Sequence, residues 1–590
     1  MPQEQAQEHA REILQQAIDA RIKVLEESIE EPVRVLKYER NALAPISSLP
    51  PEVFATIFSF SCSSGKPDDN LTQIRLSHVC HQWREIALNQ PLLWSHVDFT
   101  TLSSAGTAEI LARAKSSPLY LEARISSQSW NDVRFSTFLK EVQARLPHIC
   151  HLDVSAEGPD IHSILRALGS PAPILEYLSL FSTTESYSAN ASTPDTLFDG
   201  SAPRLSCLTL CHCGISWKWP RLKGLKYLEI VGPAVNSNPT LTVWLDALSE
   251  MPDLKTLILN EAILTWASPA PPFQFDVERT VTLPSLAHFD IVGNLEDCVL
   301  ALAHLDLPAV TQLSLEALCY DSNSFPERDH VQKLLPHVVR YMYGTQHIQP
   351  LQSMFIRSNR KCVDLLTWPV PDIGVEVQSL DPPILLGAKL PTRLALSFRC
   401  RKILGPYDLH LELLDWLITG LPLDGIVTLA VQDLRSRTTA PRHDEVCSQL
   451  FWLHISPKFP QLRRLRLSPP AAGGFIEMLL EDSERPLLPS LTELIFDYTP
   501  QYKLSSLPLV DALMKRVEQG VPLEVLDFRM CRVYNEHDYQ AQLRPLSEVV
   551  VNVLGPESNE AYGHMRSLWK PVPLGIFLDD DTREDTDSDT

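Results

Sequence analysis

The densest gathering of potential metal ligands and nucleophiles is Cys207, Cys211, His212 and Cys213, in the run LSCLTLCHCGI. Structural zinc takes four sulfur or nitrogen ligands in a tetrahedron at usable spacing, whereas none of the 12 cysteines forms a Cys-x-x-Cys pair. Leu205, Leu208 and Leu210 set the inward face of a strand that Cys207 and Cys211 are expected to miss, with Cys213 in the turn beyond it. A structural role is therefore expected for all three thiols, with no metal and no cofactor. His78, Cys80 and His81 are likewise read as part of a packed helix. The chain contains no G-x-S-x-G elbow, no G-x-x-x-x-G-K-[ST] loop, no H-E-x-x-H and no dinucleotide-binding glycine fingerprint. No intrinsic catalysis is expected; a hydrolase in residues 320 to 425, where the repeat pattern is weakest, is the one catalytic alternative.

Composition narrows the partners. At 590 residues, with 44% hydrophobic and 21% charged, the chain can bury a large core. A net charge of -22 argues against nucleic acid and anionic membranes, because phosphates are neutralised by an excess of Lys and Arg. A basic protein partner stays possible. The start, MPQEQAQEHAREILQQ, carries acids and amides where a secretory signal needs bases and an apolar run, and no stretch reaches membrane-spanning length. The expectation is an intracellular protein, cytoplasmic or nuclear, whose cysteines are reduced and mostly buried.

The elements that must position any site follow from periodicity. Residues 1–44 read as an amphipathic helix, with Ile13, Leu14, Ala17, Ile18, Ile22, Leu25 and Ile29 mostly on one face. Arg21 interrupts the seam of a coiled coil, so packing within the chain is expected. Residues 45–97 read as two or three short helices. Pro50 and Pro51 suit a first turn, Val53, Phe54, Ile57 and Phe58 follow, and after a polar loop Leu76, Val79, Cys80, Trp83, Ile86 and Ala87 form a second stripe. Such a module is too small to bury all its apolar side chains, which implies a partner.

Beyond Val97 a unit L-x-x-L-x-L recurs, beginning at Ile149, Leu175, Leu205, Leu225, Leu254, Leu286 and Val310, then at Leu351, Ile426, Leu462, Leu491 and Leu523. Helix-like segments lie between many copies, as in 240–251, 409–421, GFIEMLLED and LVDALMKRVEQG, so the unit is helix, loop, strand. Cys213 with Ile215, and Cys531 with Val533, extend two copies to the turn that leucine-rich repeats place after the strand. The fold class expected is α+β or α/β repeat: a small all-helical module, an irregular leucine-rich-repeat solenoid over 98–560, and an acidic disordered tail over 561–590. Thr586 and Ser588 in that tail are acid-flanked hydroxyls, although a plain solvated run is the simpler reading.

Residues 46 to 94 resemble the F-box family, through Leu49-Pro50-Pro51-Glu52-Val53, Ile57-Phe58, Val79-Cys80-x-x-Trp83-Arg84-x-Ile86-Ala87 and Pro91-Leu92-Leu93-Trp94. With its repeats the chain also looks like a large fungal group of F-box proteins. The resemblance implies docking on a Skp-type linker subunit that holds a cullin and a RING partner, with Leu49, Pro50, Val53, Ile57, Val79, Cys80 and Trp83 as contributors to that interface. It implies a substrate receptor of an SCF-type ubiquitin ligase, the repeats recruiting an unknown target protein. The alternative is a scaffold that binds the linker without delivering substrate. Trp94 is expected to pack within the module, and the polar segment from Ser61 to Asn70 is longer than in many family members.

Overall fold

The computed structural model describes residues 2–62, 71–126, 130–183, 197–213, 217, 219–232, 241–261, 279–308, 310, 312–319, 328–343, 350–358, 362–371, 393–400, 408–433, 449–482, 485–496, 506–529 and 544–554. The acidic tail, with Thr586 and Ser588, lies outside these, as do Ile215, Cys531 and Val533. The chain forms two compact units, the first comprising residues 1–273 with 281–286 and the second 274–280 with 287–590.

Unit 1 opens with α1 (Pro2–Ala42), α2 (Pro51–Cys62), α3 (Thr72–Ser77) and α4 (His81–Leu88). A proline begins α2, where the missing amide hydrogen has no intrahelical acceptor to lose. The second apolar stripe does not belong to one helix: α3 ends at His78 and α4 begins after Cys80, so Val79 and Cys80 occupy the turn between them. The expectation that α1 packs within the chain is not met. Ile18, Ile22, Leu25 and Ile29 remain 47 to 58% exposed, and the aromatic contact that α1 makes with the rest is Tyr38 edge-on to His81 at 5.9 Å. A helix of 41 residues outreaches the small module beside it, so its apolar stripe finds no opposing surface there.

Seven parallel strands follow: β1 (His96–Asp98), β2 (Leu119–Arg124), β3 (Ile149–Ala156), β4 (Tyr177–Ser182), β5 (Cys207–Cys211), β6 (Tyr227–Val231) and β7 (Thr256–Asn260), each hydrogen-bonded to the next. Parallel neighbours cannot be joined by a hairpin. The crossovers carry α5 (Ser104–Ala114), α6 (Asp132–Arg145), α7 (Gly158–Ala167) and α8 (Leu241–Ser249), and a two-residue β8 (Val281–Thr282) closes the unit. The register explains the leucine pattern. Leu121, Leu152, Leu178, Leu208, Leu228 and Leu257 stand side by side across six strands, each 1% exposed or less. Each such side chain is stabilised by about 1.5–3 kcal/mol on leaving water, but only if the neighbouring strand is present.

Unit 2 contains β9 (His288–Gly293), β10 (Leu305–Asp306), β11 (Gln312–Cys319), β12 (Ser353–Ser358), β13 (Cys362–Trp368), β14 (Leu394–Cys400), β15 (Thr428–Asp433), β16 (Arg464–Leu467), β17 (Glu493–Phe496), β18 (Val525–Asp527) and β19 (Asn552–Leu554). Its helices are α9 (Leu295–His304), α10 (Arg328–Tyr343), α11 (Asp408–Gly420), α12 (Gln449–Ile455), α13 (Pro469–Leu480) and α14 (Ser506–Glu518). From β15 to β19 the ladder is parallel again. Between β11 and β15 it is not: β11 pairs with β14, and β13 runs antiparallel to both β14 and β12 before β12 resumes parallel pairing with β15. This inserted reversal is why the repeat pattern fades after Leu351. Every residue of β13 is buried, so its sequence CVDLLTW loses the alternation of a one-sided strand. Elsewhere eleven of the twelve L-x-x-L-x-L copies begin two residues before a strand, and Ile149 begins one.

Candidate functional site

The four-helix start of unit 1 sorts its apolar residues onto two sides. On α2, Phe54 and Phe58 are fully buried, whereas Val53, Ile57 and Phe60, spaced at i, i+4 and i+7, are 41, 38 and 75% exposed. One helix therefore carries an inner and an outer apolar face about a quarter-turn apart. The inner face meets Trp83 of α4, whose ring centroid lies 5.6 Å from Phe54 and 5.1 Å from Phe58. Trp94 is fully buried, donates its indole N–H to the Ala87 carbonyl at 2.8 Å, and carries the Arg113 guanidinium 4.5 Å above its ring. That cation–π contact fastens α5 to the helical module.

Of the residues singled out in the sequence, Pro50, Val53 and Ile57 lie exposed along α2 and its start, and Leu49 is half-buried just before it. Val79 is 58% exposed in the α3–α4 turn, with Cys80 half-buried beside it. Both flanking helices pack on α2. Trp83 retains partial exposure but its ring is committed to Phe54 and Phe58. Sequence reasoning left Ile46, Phe60 and Leu92 out of the interface set, all exposed apolar residues of the same module. Phe60 was within reach, since it continues the Val53–Ile57 spacing by one more turn.

Polar requirements inside this module are met locally. Ser47 donates to Asn41 O at 2.7 Å, and Gln82 reaches Ser47 O at 3.4 Å. Among the side chains left outward, Ile46, Val53, Ile57, Phe60, Val79 and Leu92 gain nothing from water, and an apolar surface of this kind is suited to being covered.

The cysteine cluster is a packing feature. Cys207 is half-buried, and burial pushes its thiol up to about 11 and that of Cys213 to about 12, far from a reactive thiolate. Cys211 corrects the expectation: it is buried, not turned outward. The strand alternation ends there because His212 takes a left-handed φ of 51°, which lets residues 211 and 213 both face inward. His212 itself sits against Gly232, where φ is +87° and any Cβ would collide with the imidazole. Within the weakly patterned stretch, Ser397 donates to Asp364 at 2.5 Å, yet both are about 5% exposed or less and Asp364 also holds Arg357.

No helix is long and apolar enough to cross a membrane among the described residues. Residues 46–100 match the family model described as F-box-like. A comparison with curated proteins finds no match.

Proposed function

We propose that this chain, an F-box protein, is the substrate-receptor subunit of a cullin-based ubiquitin ligase. Its helical module docks on a Skp-type linker, and its strand arrays hold a target protein. One observation carries the reading: a module of under 60 residues with a complete inner core leaves Val53, Ile57, Phe60, Val79 and Leu92 facing outward. F-box domains generally bind Skp-type linkers, and a helical docking face of this kind fits such a partner. The parallel ladders are read as leucine-rich repeats, supported by the L-x-x-L-x-L copies that lie on the strands. The chain contributes proximity, raising the effective concentration of the target near the charged enzyme, while the bond-forming chemistry belongs to cullin-associated RING and conjugating subunits.

The test uses the double variant Ile57→Asp, Val79→Asp, both positions being solvent-exposed, so that folding is spared. Each buried anchor in an interface is worth about 2 kcal/mol, so capture of the linker should fall by well over tenfold while the circular-dichroism spectrum is unchanged. Equal capture by wild type and variant ends the proposal. Reconstitution with cullin and RING subunits separates receptor from scaffold: ubiquitin on a bound protein supports the former, and retention without transfer the latter.

A further inference from the structure

The apolar stripe of α1 has the geometry of a seam between helices. At 100° per residue, Ile18, Ile22, Leu25, Ile29, Val33 and Leu36 fall within about a quarter of the helix circumference, narrower than the face a helix turns to a globular core. All six are 39 to 63% exposed. They form three pairs, Ile18 with Ile29, Ile22 with Val33 and Leu25 with Leu36, each offset by eleven residues. Eleven residues close three turns, so the stripe runs straight along the helix and does not drift round it. Arg21, expected to interrupt a seam, stands at its edge. Tyr38, which meets His81, lies about half a turn from the centre of the stripe, so α1 touches its own module with the opposite side.

The flanks of the stripe carry charge in a set order. Asp19 and Lys37 stand on one flank and Arg21 and Glu39 on the other, each about 80° from the centre of the stripe. None of the four has an ion-pair partner among the described residues, whereas Glu31 and Arg34, further round the helix, hold each other. Two parallel copies of such a helix bring one flank of each against the other flank of its neighbour. Asp19 then faces Arg21 of the second copy and Lys37 faces Glu39, and the two-fold axis repeats both pairings. All four contacts join opposite charges. An antiparallel pair that sets Ile18 against Leu36 would bring Asp19 to Lys37 but leave Arg21 and Glu39 six positions, about 9 Å, out of step.

We propose that α1 is a dimerisation helix, its stripe pairing in parallel and in register with α1 of a second copy of this chain, with Ile18 to Leu36 as the shared core. The six side chains expose roughly 550 Å² per copy, so the pair covers about 1,100 Å², just past the roughly 1,000 Å² that a specific association needs. A globular partner would present a wider groove than so narrow a stripe fills, and an unrelated helix would have to reproduce the same flank charges. The dimer goes beyond the receptor reading and does not depend on it, because the linker-docking residues lie on α2 and the α3–α4 turn. For a receptor, two copies in one assembly raise the effective concentration of the second target-holding array once the first is engaged.

Light scattering on the full chain, measured over a range of concentrations, should give the mass of two chains. Ile22→Asp with Ile29→Asp should return it to one chain, with the circular-dichroism spectrum unchanged. Val24→Asp with Val35→Asp adds the same charges well away from the stripe and should leave the dimer intact. Arg21→Glu with Glu39→Arg keeps the net charge but turns all four flank contacts into like pairs, and should weaken the dimer about tenfold or more. Ile18→Cys should join copies through a disulfide on oxidation beyond the wild-type level, because a parallel pair sets that position against itself. A single-chain mass at every concentration, a dimer that survives the Ile22 and Ile29 changes, indifference to the charge exchange, or no added cross-link at position 18 overturns the inference. Linker capture read in the same samples keeps the two readings apart: a single chain that still captures the linker counts against the dimer alone.

Discussion

The strands of the two units treat charge in opposite ways. In unit 1 Glu229 on β6 accepts from the hydroxyls of Tyr227 and Thr209, and Glu122 on β2 stands beside Asp153 and Asp98 with Arg124 relieving the crowding only in part. In unit 2 the acids are answered within the sheet: Arg357 holds Asp364 at 2.7 Å, Arg399 holds Glu316 at 2.8 Å, and Arg464 and Arg529 hold Glu493 and Asp527. Burial accounts for much of the difference. Arg357 and Asp364 have side chains 11 and 5% exposed, so an unpaired charge there would carry a large desolvation penalty. On the more open face of unit 1 water meets part of that cost, and the charges stay available.

Breaking the buried pair should therefore have the largest effect. Arg357→Met leaves Asp364 without its cation and should lower stability by about 3–5 kcal/mol, read as a drop in the denaturant midpoint of unit 2 with unit 1 little changed. Asp297 on α9 is the exception inside unit 2: it is 3% exposed, one carboxylate oxygen accepts no hydrogen bond, and burial pushes its carboxyl up to about 7. Because the folded state holds that proton more tightly than the unfolded one, stability is highest below about pH 4 as far as this group is concerned, and falls as pH rises through 7. Asp297→Asn should flatten that slope, raising stability at pH 8 by about 2–4 kcal/mol in a pH series of melts.

The half-exposed pair is a milder case. Arg464→Gln should cost about 0.5–1 kcal/mol, diminishing as salt is added, since exposed ion pairs are weak and screened. In unit 1 the sign reverses: Glu122→Gln removes like-charge crowding and should stabilise slightly, by about 0.5 kcal/mol or less above the carboxylate range, with no benefit once Glu122 is protonated. A loss of stability on this substitution would mean that the carboxylate is already paired, and the contrast between the faces would fail.

Much of this was legible in the residues. The leucine spacing located the strands because a one-sided strand must alternate and a stacked unit must repeat. It failed where β13 is buried on both faces and runs backwards, since alternation then carries no signal. In the helical module, the spacing of Val53, Ile57 and Phe60 was visible, but which of α2's two apolar faces stays open was not. That choice is made by Trp83, 29 and 25 positions after its α2 partners Phe54 and Phe58, which closes one face and leaves the other open.

The sequence by itself determined the local periods, the acidic balance and the F-box-like pattern, because these depend on residue type and short-range spacing alone. Tertiary structure decided what depends on neighbours distant in the chain: that Ile18, Ile22, Leu25 and Ile29 of α1 stay exposed, that Cys211 turns inward, and that His96, Tyr120, His151 and Tyr177 meet as one rail. Those four residues are separated by 24, 31 and 26 positions, and only the register of parallel strands brings their rings to stacking distance.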